Sequence, residues 1–181
     1  MASPTTHVAL LRGINLGARN KVSMAHLRAL FADLGFEEVT TYVQSGNVVF
    51  KTSLAESDVI QAVEGQITRR LRLSVTVLVR TKAQLARVLA SNPYAGGKRE
   101  PAKLHVTFLA DRPSRARVRE LEAQAFEPDE FHVVGREVYL HCPNGYGKSK
   151  LSNAFLEKQL GVAATTRSWK TVTKLGELAG A

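Results

Sequence analysis

Thr40-Thr41-Tyr42-Val43-Gln44-Ser45-Gly46-Asn47-Val48-Val49-Phe50 is the stretch on which the fold turns. Its two ends, residues 40–43 and 48–50, are rich in β-branched and aromatic side chains, whereas Gln44-Ser45-Gly46-Asn47 is polar and contains a glycine. That pattern predicts two strands joined as a hairpin. Upstream, residues 7–11 form an apolar strand-like run. Ser23 is placed to cap a helix with Met24, Leu27, Leu30, Phe31 and Leu34 on one face and Gly35 just beyond its end. Downstream, residues 57–72 carry Ile60, Val63, Ile67 and Leu71 at helical spacing, and residues 75–80 alternate as a strand. The hairpin therefore lies between two helices, each linked to a further strand. The order strand, helix, strand, strand, helix, strand is the split βαβ plan of ferredoxin-like domains.

The order then repeats. Thr81 and Gln84 form a capping box for a helix bearing Leu85, Val88 and Leu89, which Asn92-Pro93 ends. Residues 94–101, with Gly96-Gly97-Lys98-Arg99, have linker composition. A strand over residues 104–109 follows, then a helix over 114–125 with Val118 and Leu121. Strands over 131–134 and 138–141 meet at Gly135-Arg136, where a leading glycine suits a type II′ turn. A helix over 149–160 ends at Gly161, a short strand covers 163–167 and a last helix 170–178. Arg80-Thr81-Lys82 and Arg167-Ser168-Trp169-Lys170 occupy corresponding junctions. The expected fold class is α+β, with two ferredoxin-like βαββαβ units in tandem, each followed by an extra helix. Residues 1–93 form the first lobe and its helix, 94–102 the linker, and 103–181 the second lobe and its helix.

Bulk composition narrows the function classes. The chain has 181 residues, 44% hydrophobic, with 25 Lys and Arg against 16 acids and a net charge of +9. Such an excess favours polyanionic partners such as nucleic acid, an anionic membrane surface or phosphorylated metabolites. The single cysteine, Cys142, excludes an internal disulfide and fits a reducing, cytoplasmic setting. No apolar segment approaches the roughly 20 residues needed to span a bilayer, and no signal peptide is evident, so no membrane partner is expected. Oligomeric state is not encoded in any feature of this kind.

Two polar loops carry the functional signal. Arg12-Gly13-Ile14-Asn15-Leu16-Gly17-Ala18-Arg19-Asn20-Lys21 and Asn144-Gly145-Tyr146-Gly147-Lys148-Ser149-Lys150 each follow a strand and precede a helix. Free backbone N–H groups, glycines and cations at such junctions are the ingredients of an anion site. The second loop resembles the end of a phosphate-binding P-loop, but the spacing requires glycine where Cys142 stands, so the match fails and nucleotide hydrolysis of that type is not the expectation. The first loop lacks the G-x-G-x-x-G spacing of dinucleotide sites. Planar Arg12, at a strand end, suits a phosphate or carboxylate.

With these motifs in view, the chain resembles the bacterial family named domain of unknown function 1697. The resemblance rests on Val8-Ala9-Leu10-Leu11-Arg12-Gly13-Ile14-Asn15, Gln44-Ser45-Gly46-Asn47-Val48 and Gly147-Lys148-Ser149-Lys150-Leu151-Ser152. It extends to Glu157-Lys158-Gln159-Leu160-Gly161 and Thr165-Thr166-Arg167-Ser168-Trp169-Lys170-Thr171-Val172-Thr173-Lys174-Leu175, and so covers nearly the whole chain. It implies a small cytoplasmic protein with two ferredoxin-like halves, and it brings no established reaction. The family usually has Asn before the tryptophan, where this chain has Ser168.

The ligand-binding residues expected from the sequence are Arg12, Asn15, Gly17, Lys21, Gln44, Asn47, Gly147, Lys148, Ser149, Arg167 and Trp169. They are expected to hold a phosphate-bearing or other anionic ligand in the cleft between the lobes, which requires Arg12 and Lys148 to meet. Trp169 is the stacking wall. No residue is assigned a catalytic role, and the sequence calls for no cofactor or metal. Three alternatives follow from other residues. Strand alternation places His105, His132, Tyr139 and His141 on one sheet face, which would permit a three-histidine zinc site, although no ligand spacing supports one. The same face would let an RNA-binding module stack bases on Tyr139. Cys142, near Lys148, is a candidate nucleophile. A structural or protein-interaction domain without catalysis is the remaining reading.

Overall fold

The computed structural model describes residues 2–181. The chain divides into two compact units, one of residues up to Arg87 together with Leu175–Ala181, the other Val88–Lys174. The first unit contains β1 (Thr5–Leu11), α1 (Met24–Asp33), β2 (Glu37–Tyr42), β3 (Asn47–Thr52), α2 (Glu56–Leu71) and β4 (Val77–Thr81), followed by α3 (Lys82–Ala90). The second contains β5 (Leu104–Leu109), α4 (Arg115–Glu122), β6 (Glu130–Val134), β7 (Glu137–His141), α5 (Asn153–Leu160) and β8 (Ala164–Ser168); α6 (Trp169–Ala179) follows, its residues from Leu175 on belonging to the first unit. The sheets have orders β2-β3-β1-β4 and β6-β7-β5-β8, with every neighbour antiparallel. Each is the ferredoxin-like arrangement, and the protein is α+β with two such units in tandem.

Local chemistry explains the element ends. Ser23 Oγ accepts from the His26 amide at 3.1 Å and starts α1. Thr81 and Gln84 form the reciprocal box, with Thr81 N donating to Gln84 Oε1 at 2.8 Å and Gln84 N to Thr81 Oγ1 at 3.2 Å. Several boundaries shift by one to three residues from the sequence expectation, and one shifts by four. The helix expected from residue 149 begins at Asn153, because Ser152 is its cap and Tyr146–Lys148 forms a separate 3-10 turn.

Apolar burial explains the layers. Ala9, Leu11, Val48, Phe50, Val77 and Val79 form one face of the first sheet, covered by Leu27, Leu30 and Phe31 of α1 and Val59, Val63 and Ile67 of α2. In the second unit, Leu109, Val138, Leu140 and Cys142 lie with Leu121, Leu156 and Leu160. The opposite faces are buried too. Val8, Leu10, Leu78 and Arg80 in the first sheet, and Leu104, Val106, Phe108, Tyr139, Thr165 and Arg167 in the second, are all shielded from solvent. Arg80 lies opposite Val8, and Arg167 opposite Val106. The two junctions that echo each other in sequence thus hold the same place in register.

The β2–β3 turn is locked onto the end of β1. Gly46 has φ +83°, and a Cβ there would stand 2.5 Å from Ile14 Cδ1 and 2.9 Å from Leu11 Cβ. Gly17 also has positive φ, +60°, but faces open space. Gly46→Ala therefore adds overpacking to backbone strain and should lower stability by about 2–4 kcal/mol, whereas Gly17→Ala carries only the strain, about 1 kcal/mol. Urea unfolding of the two variants checks this order.

Candidate functional site

The first polar loop, between β1 and α1, is pinned from within. Arg12 N donates to Thr76 O at 2.9 Å and Leu11 N to Gly46 O at 2.8 Å. Asn15 Nδ2 donates to Val22 O at 2.9 Å and Gln44 O at 2.7 Å, while its Oδ1 accepts from Val22 N at 2.8 Å. Asn20 Nδ2 closes the loop on Gly13 O at 3.2 Å. Asn47 is fully buried and donates to Tyr42 O and Ser45 Oγ, both at 2.9 Å. The structure thus brings Arg12, Asn15, Gly17, Lys21, Gln44 and Asn47 to one end of the first sheet. Asn15 and Asn47 are engaged in holding the backbone. Arg19 and Lys21 are exposed, and neither side chain has a partner among the described residues. Leu16, at the tip, is 68% exposed.

The second polar loop is built differently from the sequence expectation. Ser149 does not open a helix: its Oγ donates to Asp129 Oδ2 at 2.8 Å and accepts from Leu151 N at 3.0 Å. Lys148 lines a groove of about 370 Å³ with Glu127, Asp129, Asn144 and Lys150. Two carboxylates there face two ammonium groups, which removes most of the attraction for an anion. Arg167 is buried rather than presented to a ligand. It donates to Thr165 Oγ1 at 2.6 Å and Thr166 O at 3.1 Å, and burial lowers its pKa to about 10. Trp169 is half-buried at the first position of α6, and Ser168 Oγ accepts from Thr171 N at 3.3 Å as the cap. Ser168 therefore has a local task in helix initiation.

Register fixes where the loops stand in their own sheets. His141 pairs with Leu104, and Ser168 with His105, so the Gly147–Ser149 loop and Trp169 lie at the end where β5 begins. The Arg12 loop lies at the end where β1 finishes. The two loops occupy opposite ends of equivalent sheets, and Arg12 and Lys148 belong to different units.

The alternatives drawn from strand alternation change in the same light. His105 pairs with Leu140, whereas Tyr139 pairs with Val106 and with His132. His105 therefore faces the helices, stacked on Tyr146 at 4.8 Å, and His132, Tyr139 and His141 face the other way. The three-histidine arrangement is not formed, and no group of three metal-ligating side chains occurs among the described residues. Tyr139 is buried and donates to Val88 O at 2.8 Å, so no base stacks on it. Burial pushes the Cys142 thiol up, the reverse of an activated nucleophile; a Ser149 hydrogen bond opposes the shift only in part.

Residues of linker composition are firmly held. Arg99 grips Glu130 with two bonds, Nε to Oε1 at 3.0 Å and Nη2 to Oε2 at 2.8 Å, and lies 4.9 Å over the Tyr94 ring. His141 Nδ1 is 2.8 Å from Glu130 Oε1. Hydrogen bonding to Arg99, then to His141, holds the Glu130 carboxyl below its usual range, and burial pushes Tyr94 up to about 12.

One set of cations was passed over in the sequence reading. Arg112, Arg115 and Arg119 line a groove of about 360 Å³ with Pro113, Val118, Glu122, Val133 and Gly135. The available signal was four arginines within Arg112-Pro113-Ser114-Arg115-Ala116-Arg117-Val118-Arg119.

Two outcomes test this account. Asn15→Ala leaves an amide and two carbonyls without their side-chain partner and should lower stability by about 1–3 kcal/mol, with faster hydrogen exchange at Val22. A depressed carboxyl stabilises the fold above its ordinary pKa, and that contribution fades as pH falls through the lowered value. Melting temperatures should therefore place Glu130→Gln below the wild type at pH 7, with the gap closing below about pH 4.

The comparisons agree with this architecture. The conserved bacterial protein SP0830 from Streptococcus pneumoniae has the same fold, with a TM-score of 0.80 over 98% of this chain and 99% of that chain, at 22% identity. No curated protein matches the sequence. No helix among the described residues is long and apolar enough to cross a membrane. A family model described as protein of unknown function (DUF1697) matches residues 5–139. That match runs from the first strand of the first sheet into the third strand of the second, and the chain belongs to the DUF1697 family.

Proposed function

We propose that the chain binds a phosphate-bearing or otherwise anionic ligand at the Arg12–Lys21 loop of its first unit. The observation that carries this reading is the division of labour inside the loop. Asn15 and Asn20 fix its backbone, while Arg19 and Lys21 stand in solvent without partners among the described residues. A pinned backbone loses little entropy of its own when an anion arrives, so the ordering cost is confined to the two side chains. Arg12 and the exposed Gln44 side chain flank the same end of the sheet, and Gly17 leaves the tip open to a close approach. The net charge of +9 adds long-range attraction for such a partner. Lys148, Gly147 and Trp169 would serve a ligand of the second unit, where the mixed charge of the groove makes an anion a weaker partner. A reducing, cytoplasmic setting fits a lone cysteine whose thiol is buried.

The test is isothermal titration with pyrophosphate and with a short single-stranded RNA, on the wild type and on Arg19→Glu/Lys21→Glu. The wild type should bind one of the two, and the double charge reversal should weaken that binding by at least about tenfold. If RNA is the ligand, affinity should fall steeply with salt across several phosphate contacts. Absence of binding by both probes, or binding that the double variant leaves unchanged, overturns the reading.

A further inference from the structure

The groove lined by Arg112, Arg115 and Arg119 lies wholly within the second unit, between α4 and the β6–β7 turn at Gly135. We propose that it is a second ligand site, separate from the loop of the first unit, and that it takes the phosphomonoester of a hydroxylated organic molecule.

Four observations converge on that chemistry. None of the three guanidinium groups has a hydrogen-bond or ion-pair partner among the described residues, and Glu122 is equally unengaged. The arginine between them in sequence is treated differently. Arg117 donates to Gln159 O at 3.1 Å and Lys158 O at 3.5 Å, and so caps the carbonyl end of α5. Arg115 and Arg119 are therefore the arginines of α4 left over after its structural need is met, and Arg112 joins them from the segment before the helix.

Their placement is unfavourable without an anion. Arg115 is the first residue of α4, whose first turn contains no acid, so it stands at the positive end of the helix dipole. Arg115 and Arg119 are also a like-charged i,i+4 pair, which weakens a helix. An anion between them converts both penalties into attraction. Three cations against one carboxylate leave the groove two charges positive, which matches a phosphomonoester near neutral pH.

The rest of the lining selects against bare phosphate. Pro113, Val118 and Val133 give an apolar floor, and the volume of about 360 Å³ falls within the range of small-molecule sites. Glu122 is an acceptor only, so it suits a ligand hydroxyl that donates to it. Planar guanidiniums bind the phosphoryl oxygens, the floor covers the carbon skeleton and Glu122 orients a hydroxyl.

A site-resolved measurement tests this. Amide and methyl NMR spectra are recorded during titration with glucose 6-phosphate, adenosine 5′-monophosphate and inorganic phosphate. At least one ester should move the Val118 and Val133 methyls and the Gly135 amide saturably, and more tightly than inorganic phosphate does. Arg115→Ala/Arg119→Ala should weaken the effect by at least about tenfold while the spectrum stays dispersed. Arg112→Ala gives an independent second variant outside the helix, with the same expected loss. Arg19→Glu/Lys21→Glu should leave these shifts unchanged, which separates the groove from the loop of the first unit. The proposal is overturned if neither ester moves these signals at millimolar concentration. It is equally overturned if the shifts survive both arginine variants, or if inorganic phosphate binds as tightly as the esters.

Discussion

Arg80 and Arg167 stand opposite Val8 and Val106, each on the strand beside the first strand of its sheet, and both are shielded from water. A buried guanidinium is tolerable only where its donors find acceptors, because desolvating a charge costs several kcal/mol, to order of magnitude. Arg167 does so partly through Thr165 Oγ1 and Thr166 O of its own strand. A slip of one residue would turn that arginine, and every apolar neighbour, onto the wrong face. The buried arginine thus reinforces the same register that the apolar pattern specifies. The central strands of each sheet are buried on both faces, while Thr40 of β2 and His132 of β6 stay exposed at the outer strands.

The polar residues of the loops divide into two populations. Asn15, Asn47, Ser149 and Ser168 lie in the motifs that look functional, yet each has its hydrogen-bonding capacity engaged in loop closure, turn formation or capping. The cations beside them, Arg19 and Lys21, have no such task. A polar motif at a strand end is thus partly scaffold and partly presentation. The scaffold part is what keeps the presented charges in place.

This division also marks how far the sequence could be read. Element order was legible because apolar periodicity and caps agree: Ser23, the Thr81–Gln84 box and Ser114 each start a helix where expected. The start of α5 was not, because Ser149 and Ser152 are both competent caps, and only the distant Asp129 decides between them. The sheet face of Tyr139 and His141 was misassigned because alternation within a strand says nothing of register between strands. Arg167 looked like a surface cation because the rule that charges are exposed fails where a second sheet face is buried. The Arg112–Arg119 groove escaped notice because its lining joins α4 to Val133 and Gly135 on a separate hairpin, a proximity that only tertiary structure creates.

Cys142 lies beneath Leu151, Leu156 and Leu160 in the core of the second unit, with its thiol raised toward the neutral form by burial. It is the only sulfhydryl in the chain. A thiol reagent therefore meets no competing surface group, and the rate of its reaction reports how often that core opens. The molecule carries its own intrinsic probe of breathing in one half, silent while the helices stay seated and informative without any engineered label.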